Sequence, residues 1–251
     1  MEEQQKTKKD LFLPISIVIA AVVIGGAVIY SNGLKSVGKN GDNQTPSGEK
    51  VEINITADDK VLGQAKAELT MFEFSDYECP YCSRFHKLTR PEIISNYVDT
   101  GKMKTVFRGM PFHTNSLMDT QAVLCADKQS KYWEMHDLVF DKKNSDETLT
   151  IDSLTKYAGD LGLNKTIFSE CLTGQGDYEK INQIAAEAQN AGILATPIML
   201  ITNDLPVELD ADYVIEQLQA GSSVITIDNG VIIIGAQAFS TFQTEIDKLL
   251  N

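Results

Sequence analysis

Cys79 and Cys82 close the stretch Thr70-Met-Phe-Glu-Phe-Ser-Asp-Tyr-Glu-Cys79-Pro80-Tyr81-Cys82, in which aromatic and β-favouring residues give way to a helix-starting pattern. A thiol at a helix N-terminus faces unpaired backbone N–H groups and the positive end of the macrodipole, so its thiolate is stabilised. Cys79 is therefore the candidate nucleophile. Cys82, one turn deeper, is placed to close a disulfide on Cys79 or to resolve a mixed disulfide with a substrate. Pro80 suits a first turn, where no N–H is needed, and Tyr81 completes the motif. A bare C-x-x-C also serves zinc knuckles. Zinc would call for a second ligand pair, whereas Cys125 and Cys171 stand singly and far apart.

The elements that must hold this pair can be read outward from it. Glu68 to Ser75 is the expected central strand, with Phe72 and Phe74 on one face and Met71, Glu73 and Ser75 on the other. Glu73 is thus a carboxylate inside a strand that feeds the active helix. Asp76 and Glu78 crowd Cys79, and their negative charge opposes the helix dipole. The helix is expected to run through Phe85 and Leu88 to about Tyr97, with a kink at Pro91, and His86 reads as a surface or half-buried residue. Lys104 to Phe107 reads as the next strand, while His113 has no assigned role.

Residues 114–192 turn helical, with Leu117, Val123, Trp133, Leu138, Leu154, Leu161, Phe168 and Ile181 at helical spacings. Trp133 and His136 read as packing residues. After Thr196-Pro197 and the strand-like Ile198 to Ile201, Asp210 to Ala220 reads as a short helix. Val224–Ile227 and Val231–Ile234, joined through Asp-Asn-Gly, read as a hairpin. Ala236 to Leu250 closes the chain as an amphipathic helix.

At the other end, Met1 to Asp10 is polar with Lys6, Lys8 and Lys9, and Leu11 to Tyr30 carries no charge. About 20 apolar residues span a bilayer as a helix, and lysines ahead of the span place that end in the cytoplasm. The expectation is a cytoplasmic tail (1–10), an uncleaved transmembrane anchor (11–30), a Gly/Ser/Asn-rich linker (31–50) and an extracytoplasmic domain (51–251). A cleaved signal peptide is the competing reading. A coil of about 20 residues has an end-to-end distance of roughly 25 Å, enough to let the domain tilt. In the 251-residue chain, a net charge of −13 argues against nucleic acid as a partner.

Asp58-Asp59 with Gly63, the stretch Phe72 to Cys82, Phe107-Arg-Gly-Met-Pro111, Cys125-Ala, Trp133-Glu-Met-His-Asp137, Leu161-Gly-Leu163, Cys171-Leu, Thr196-Pro197 and Gly235-Ala-Gln237 follow in order. This set resembles the DsbA-like thiol:disulfide oxidoreductases of the thioredoxin superfamily, in their membrane-anchored, BdbD-type branch. The resemblance covers about residues 55 to 250. It implies an α/β thioredoxin fold interrupted by a helical domain, working by dithiol/disulfide exchange with no cofactor beyond the Cys79–Cys82 pair. It implies that Thr196-Pro197 is the proline loop facing the cysteines, usually with a cis bond. It further implies that Glu73 is the buried acid beneath them, able to exchange a proton as Cys82 changes state.

Cys125 and Cys171 fall on two helices, and members of the family with both cysteines resemble this arrangement. A structural bridge is the expectation, with two buried free thiols as the alternative. Closing a loop of about 45 residues would stabilise by roughly 4 kcal/mol in the chain-entropy model. The linker is too short for the separate dimerisation domain of DsbC- and DsbG-like isomerases, so a monomer is expected. The insertion of roughly 25 residues after Pro197 departs from the family pattern and leaves open whether Pro197 faces Cys79.

Three functions fit these residues. The first is an oxidase that passes its disulfide to unfolded exported proteins and is reoxidised by a membrane partner of the DsbB or VKOR type. The second is a reductase or isomerase of the same fold. The third is a non-catalytic module that binds a metal or a client.

Overall fold

The computed structural model describes residues 50–145 and 147–251. The expected tail and anchor lie outside the described residues, as does all of the expected linker except Lys50. Among the described residues no helix is long and apolar enough to cross a membrane.

The centre is a six-stranded sheet of order β2-β4-β3-β5-β8-β7. Its strands are β2 (Val61–Leu62), β3 (Leu69–Ser75), β4 (Met103–Gly109), β5 (Ile198–Thr202), β7 (Val224–Ile227) and β8 (Gly230–Ile234). All seven residues of β3 are buried. It pairs in parallel with β4 and antiparallel with β5, so both of its edges are satisfied. That is why its sequence reads as a nearly continuous apolar run with one carboxylate in it.

Alternation along β3 divides the core. Phe72 and Phe74 pack with Ala185, Ala188 and Val214 on one face of the sheet. Leu69 and Met71 pack with Phe85, Ile93, Phe242 and Ile246 on the other. That second face is covered by α1 (Pro80–Leu88), α2 (Arg90–Ile93) with a single π-helical turn over Ile94–Val98, and the closing α9 (Phe239–Leu249). The expected kink falls at Thr89, just ahead of Pro91, and the Thr89 hydroxyl donates to the Gln237 carbonyl at 2.9 Å.

Five helices lie between β4 and β5: α3 (Ser116–Asp127), α4 (Tyr132–Lys143), α5 (Ile151–Asp160), α6 (Lys165–Gly174) and α7 (Tyr178–Asn190). Their core includes Val123, Met135, Val139, Leu154 and Phe168, and it reaches the sheet through Tyr77 and Phe107. Cys125 of α3 and Cys171 of α6 are joined as a disulfide with Cα atoms 5.8 Å apart.

The segment after Pro197 does not displace the central pairing. β5 is buried at every residue and sits between β3 and β8, so the added length loops out behind it. The excursion supplies β6 (Val207–Asp210) and α8 (Ala211–Gln219), then returns as edge strand β7. β6 pairs antiparallel with β1 (Lys50–Ile53) in a separate two-stranded sheet. The stretch Val51 to Ile55, read as a possible edge strand, is therefore partnered by the insertion itself. At the β7–β8 hairpin, a Cβ on Gly230 would lie 2.2 Å from the Ile201 carbonyl oxygen, so no other residue fits that approach.

Candidate active site

Cys79 is the N-cap of α1, in extended backbone geometry (φ −77°, ψ 122°), with Pro80 opening the helix. The turn before it is closed by Cys79 N–H donating to the Asp76 carbonyl at 3.1 Å. The thiol reaches a segment far away in sequence: Cys79 Sγ donates to the Thr196 carbonyl oxygen at 3.5 Å. The Thr196–Pro197 peptide is cis. Pro197 is held in turn by Gly235 N–H, which donates to its carbonyl at 2.8 Å. The loop that the sequence left in doubt therefore faces the cysteines.

The two thiols occupy opposite electrostatic environments. Cys79 is lowered to about 5, first by a hydrogen bond from the Cys82 thiol, with help from the N–H groups of Cys82 and Tyr81 and from Thr196, against the opposing effect of burial. Cys82 is fully buried and is pushed up, first by desolvation and then by its partner thiol. Its Sγ accepts one hydrogen bond, from Asp76 N–H at 3.4 Å. Both thiols are unbridged.

The carboxylates that crowd Cys79 in sequence are neutralised in space. Asp76 is buried and accepts from the N–H groups of Glu78 (2.9 Å), Phe112 (2.9 Å) and His113 (3.2 Å), from the Ser116 hydroxyl, and from His113 Nδ1 (2.8 Å). That bond raises the His113 pKa and so favours the imidazolium opposite the carboxylate. Glu78 is paired with Lys143, whose ammonium also lies 3.3 Å from the buried Asp119. Burial pushes Asp119 up to about 7 although Lys143 opposes this. Lys143 and His113 thus set countering groups against the carboxylates around the motif, and no local sequence spacing announces it.

Glu73 is buried beneath the helix, with its Oε2 3.6 Å from Arg90 Nε, an ion pair too long for a hydrogen bond. Desolvation raises its pKa against the pull of Arg90. His86, read as surface or half-buried, is buried. It stacks on Phe140 (centroids 4.5 Å apart), and its Nε2 lies 3.2 Å from Asp137 Oδ1. The helical insertion covers the face of α1 that would otherwise meet solvent. His136 is fully buried, with Nδ1 2.8 Å from the Tyr77 hydroxyl, and burial lowers its pKa well below the usual range.

Among the described residues, His86, His136 and Asp137 bring metal-ligating atoms within 4.8 Å of one another. Asp137 is already shared between His86 and Arg90, and the guanidinium sets a positive charge where a cation would sit. The set fits an ion-pair network better than a metal centre. Cys125 and Cys171 are bound to each other and offer no ligand pair.

Exposed apolar side chains frame the nucleophile. Tyr81 in the motif is 62% exposed, Phe112 on the loop tied to Asp76 is 40% exposed, and Leu194, two residues before Thr196, is 51% exposed.

A dithiol at a helix N-terminus, a cis-proline loop against it and a helical domain inserted into the sheet define a thioredoxin-fold protein of the thiol:disulfide exchange class. The Thioredoxin family matches residues 56–218, and the chain belongs to it, among the DsbA-like thiol:disulfide oxidoreductases. Disulfide bond formation protein D of Bacillus subtilis is 30% identical over 162 residues, covering 61% of this chain and 71% of that protein. The crystal structure of alpha-DsbA1 from Wolbachia pipientis superposes with a TM-score of 0.65 at 28% identity, covering 78% of this chain and 93% of that one. The Na(+)/H(+) antiporter NhaA 3 of Salinispora tropica is 31% identical over 146 residues, which take in 57% of this chain and 21% of the antiporter. This chain thus matches only about a fifth of that relative's length.

Proposed function

We propose that the protein is an oxidase that passes the Cys79–Cys82 disulfide to thiol pairs in unfolded exported proteins. The observation that carries this reading is the contrast between the two thiols: Cys79 is acidic and faces the Thr196 carbonyl, while Cys82 is buried and raised. A stabilised Cys79 thiolate stabilises the reduced form, which makes the disulfide a stronger oxidant. A client thiolate attacks Cys79 Sγ, the Cys79–Cys82 bond breaks, and its electron pair goes to Cys82, which takes up a proton. The second client thiolate then attacks the client sulfur of the mixed disulfide. Cys79 leaves as a thiolate, and the client keeps a disulfide. The two electrons gained must pass on to an oxidant, for which a membrane reoxidase of the DsbB or VKOR type is the proposed class.

In this reading Thr196 and Pro197 receive the client segment, and Glu73 serves the proton of Cys82. Pro80 and Tyr81 shape the helix start, and the Cys125–Cys171 bridge holds the insertion together. The exposed Tyr81, Phe112 and Leu194 suit extended apolar client segments. Residues 11–30 act as an anchor and 31–50 as a tether, which puts the domain outside the cytoplasm, where disulfides persist. The protein works as a monomer without a cofactor.

The test is the reduction potential of the purified protein, by thiol trapping in graded redox buffers. Oxidants and reductants of this fold differ by about 150 mV, and 30 mV corresponds to roughly 1.4 kcal/mol. A value at the oxidising end supports the proposal. One near that of thioredoxin overturns it in favour of a reductase.

A further inference from the structure

We propose that the Ser75 hydroxyl bridges Cys82 and Glu73 and carries the proton that Cys82 takes up when its disulfide opens. This rests on the oxidase reading above, in which Cys82 is the leaving sulfur. Three observations converge on Ser75. It lies on the same face of β3 as Glu73, two residues on and so roughly 6.7 Å along the strand, a gap within reach of the longer glutamate side chain. Cys82 Sγ is anchored at the end of the same strand, 3.4 Å from the N–H of Asp76, the residue bonded to Ser75. Ser75 Oγ and Glu73 Oε1 are both buried and, among the described residues, make no hydrogen bond of ordinary length, while the Ser75 hydroxyl lies near enough to both the Glu73 carboxyl and the Cys82 thiol to favour the charged form of each.

A buried hydroxyl without a partner costs about 1–3 kcal/mol, so it is expected only where it has a task. Serine can accept a proton and donate one in the same step. When the Cys79–Cys82 bond breaks, the electron pair moves to Cys82 Sγ. The Ser75 O–H proton passes to that sulfur, and the Glu73 carboxyl proton passes to Ser75 Oγ, leaving a carboxylate opposite Arg90. Closing the disulfide runs the same transfers backward. The raised pKa of Glu73 is consistent with a carboxyl that holds a proton to give. The other ionisable groups around Glu73 are Arg90, His86, Asp137, Tyr77 and Tyr132, and Cys82 faces Cys79.

The experiment follows the opening of the oxidised full chain by glutathione, with acid-quenched trapping of the mixed disulfide from about pH 4 to pH 8. Ser75→Ala is expected to slow opening by at least about 10-fold and to erase the bend in the pH profile that reports Glu73. Ser75→Thr, which keeps the hydroxyl, restores both. The double variant Ser75→Ala/Glu73→Gln is no slower than Glu73→Gln alone, because one relay is broken only once. Thermal melts certify the fold, and Ser75→Ala should melt no lower than the native chain, since it removes an unpartnered polar group. A native rate and pH profile in Ser75→Ala, or additive effects in the double variant, overturn the relay while leaving the oxidase reading intact. Glutathione trapped on Cys82 rather than on Cys79 would instead remove the reading on which the relay rests, because Cys82 would then not be the leaving sulfur.

Discussion

Cys79 and Thr196 stand 117 positions apart, and the thiol of one donates to the carbonyl of the other at 3.5 Å. That contact joins the start of α1 to the loop ahead of β5, and it exists because β5 pairs with β3, the strand that feeds α1. The same pairing orders everything else around the motif: β3 brings Glu73 and Ser75 below Cys82, and its end brings Asp76 beside it.

The acidity of Cys79 depends first on Cys82. Alkylation of the reduced protein by iodoacetamide should be half-maximal near pH 5. Cys82→Ala removes the leading hydrogen bond and should move the midpoint up by a unit or more toward the ordinary value of about 8.5. The folded value lies below the unfolded one, so the thiolate adds stability to the reduced protein. That stability is complete above about pH 8.5 and is lost as the pH falls through about 5. Melting curves of reduced and oxidised protein across this interval should show the reduced form losing ground as acid is added.

His136 is buried as the neutral imidazole, with a folded pKa well below its unfolded one. Stability tied to it is present above about pH 6.5 and is lost as the pH falls, with a slope approaching about 1.4 kcal/mol per pH unit. Glu73, raised in the fold by desolvation, acts in the opposite direction, its stability being lost as the pH rises. His136→Gln keeps a partner for Tyr77 without a group that must charge. Urea titrations at pH 7 and pH 5 should show a smaller difference for the variant than for the native domain.

Lys143 answers two carboxylates, one of them fully buried. Lys143→Met should destabilise by about 3 kcal/mol in urea titration, because Asp119 is left without its cation. The folded pKa of Asp119, about 7, exceeds its unfolded value, so stability is lost as the pH rises from about 4 through 7. The penalty should therefore be larger at pH 8 than at pH 5, and Asp119→Asn in the variant should relieve it at pH 8.

The Cys125–Cys171 bridge spans 46 positions. In the chain-entropy model, replacing both cysteines by alanine should destabilise the oxidised domain by about 4 kcal/mol. For a domain of this size that lowers Tm by about 10 °C. Thiol exchange at 25 °C should persist, since the bridge lies in the insertion and Cys79 sits at the end of the sheet.

What the sequence alone determined is local. Cys79-Pro80-Tyr81-Cys82 at a helix start follows from the strand-to-helix change in pattern, and Phe72, Glu73 and Phe74 show their faces through strict alternation. The Asp-Asn-Gly hairpin and the helical run of the insertion were legible for the same reason, because each is encoded by residues within a few positions of one another. What only the tertiary structure decided is which distant charges and loops meet. Asp76 and Glu78 read as a threat to the Cys79 thiolate until His113, Ser116 and Lys143 arrive from other elements to neutralise them. His86 looked like a surface residue because the helix that buries it comes from an insertion some fifty positions away. The insertion after Pro197 threatened the β5 pairing on paper. In space it loops out behind a strand that is buried on both faces and has no better place to lie. Charge neutralisation and burial are properties of all neighbours at once, and a linear chain lists only two of them for each residue.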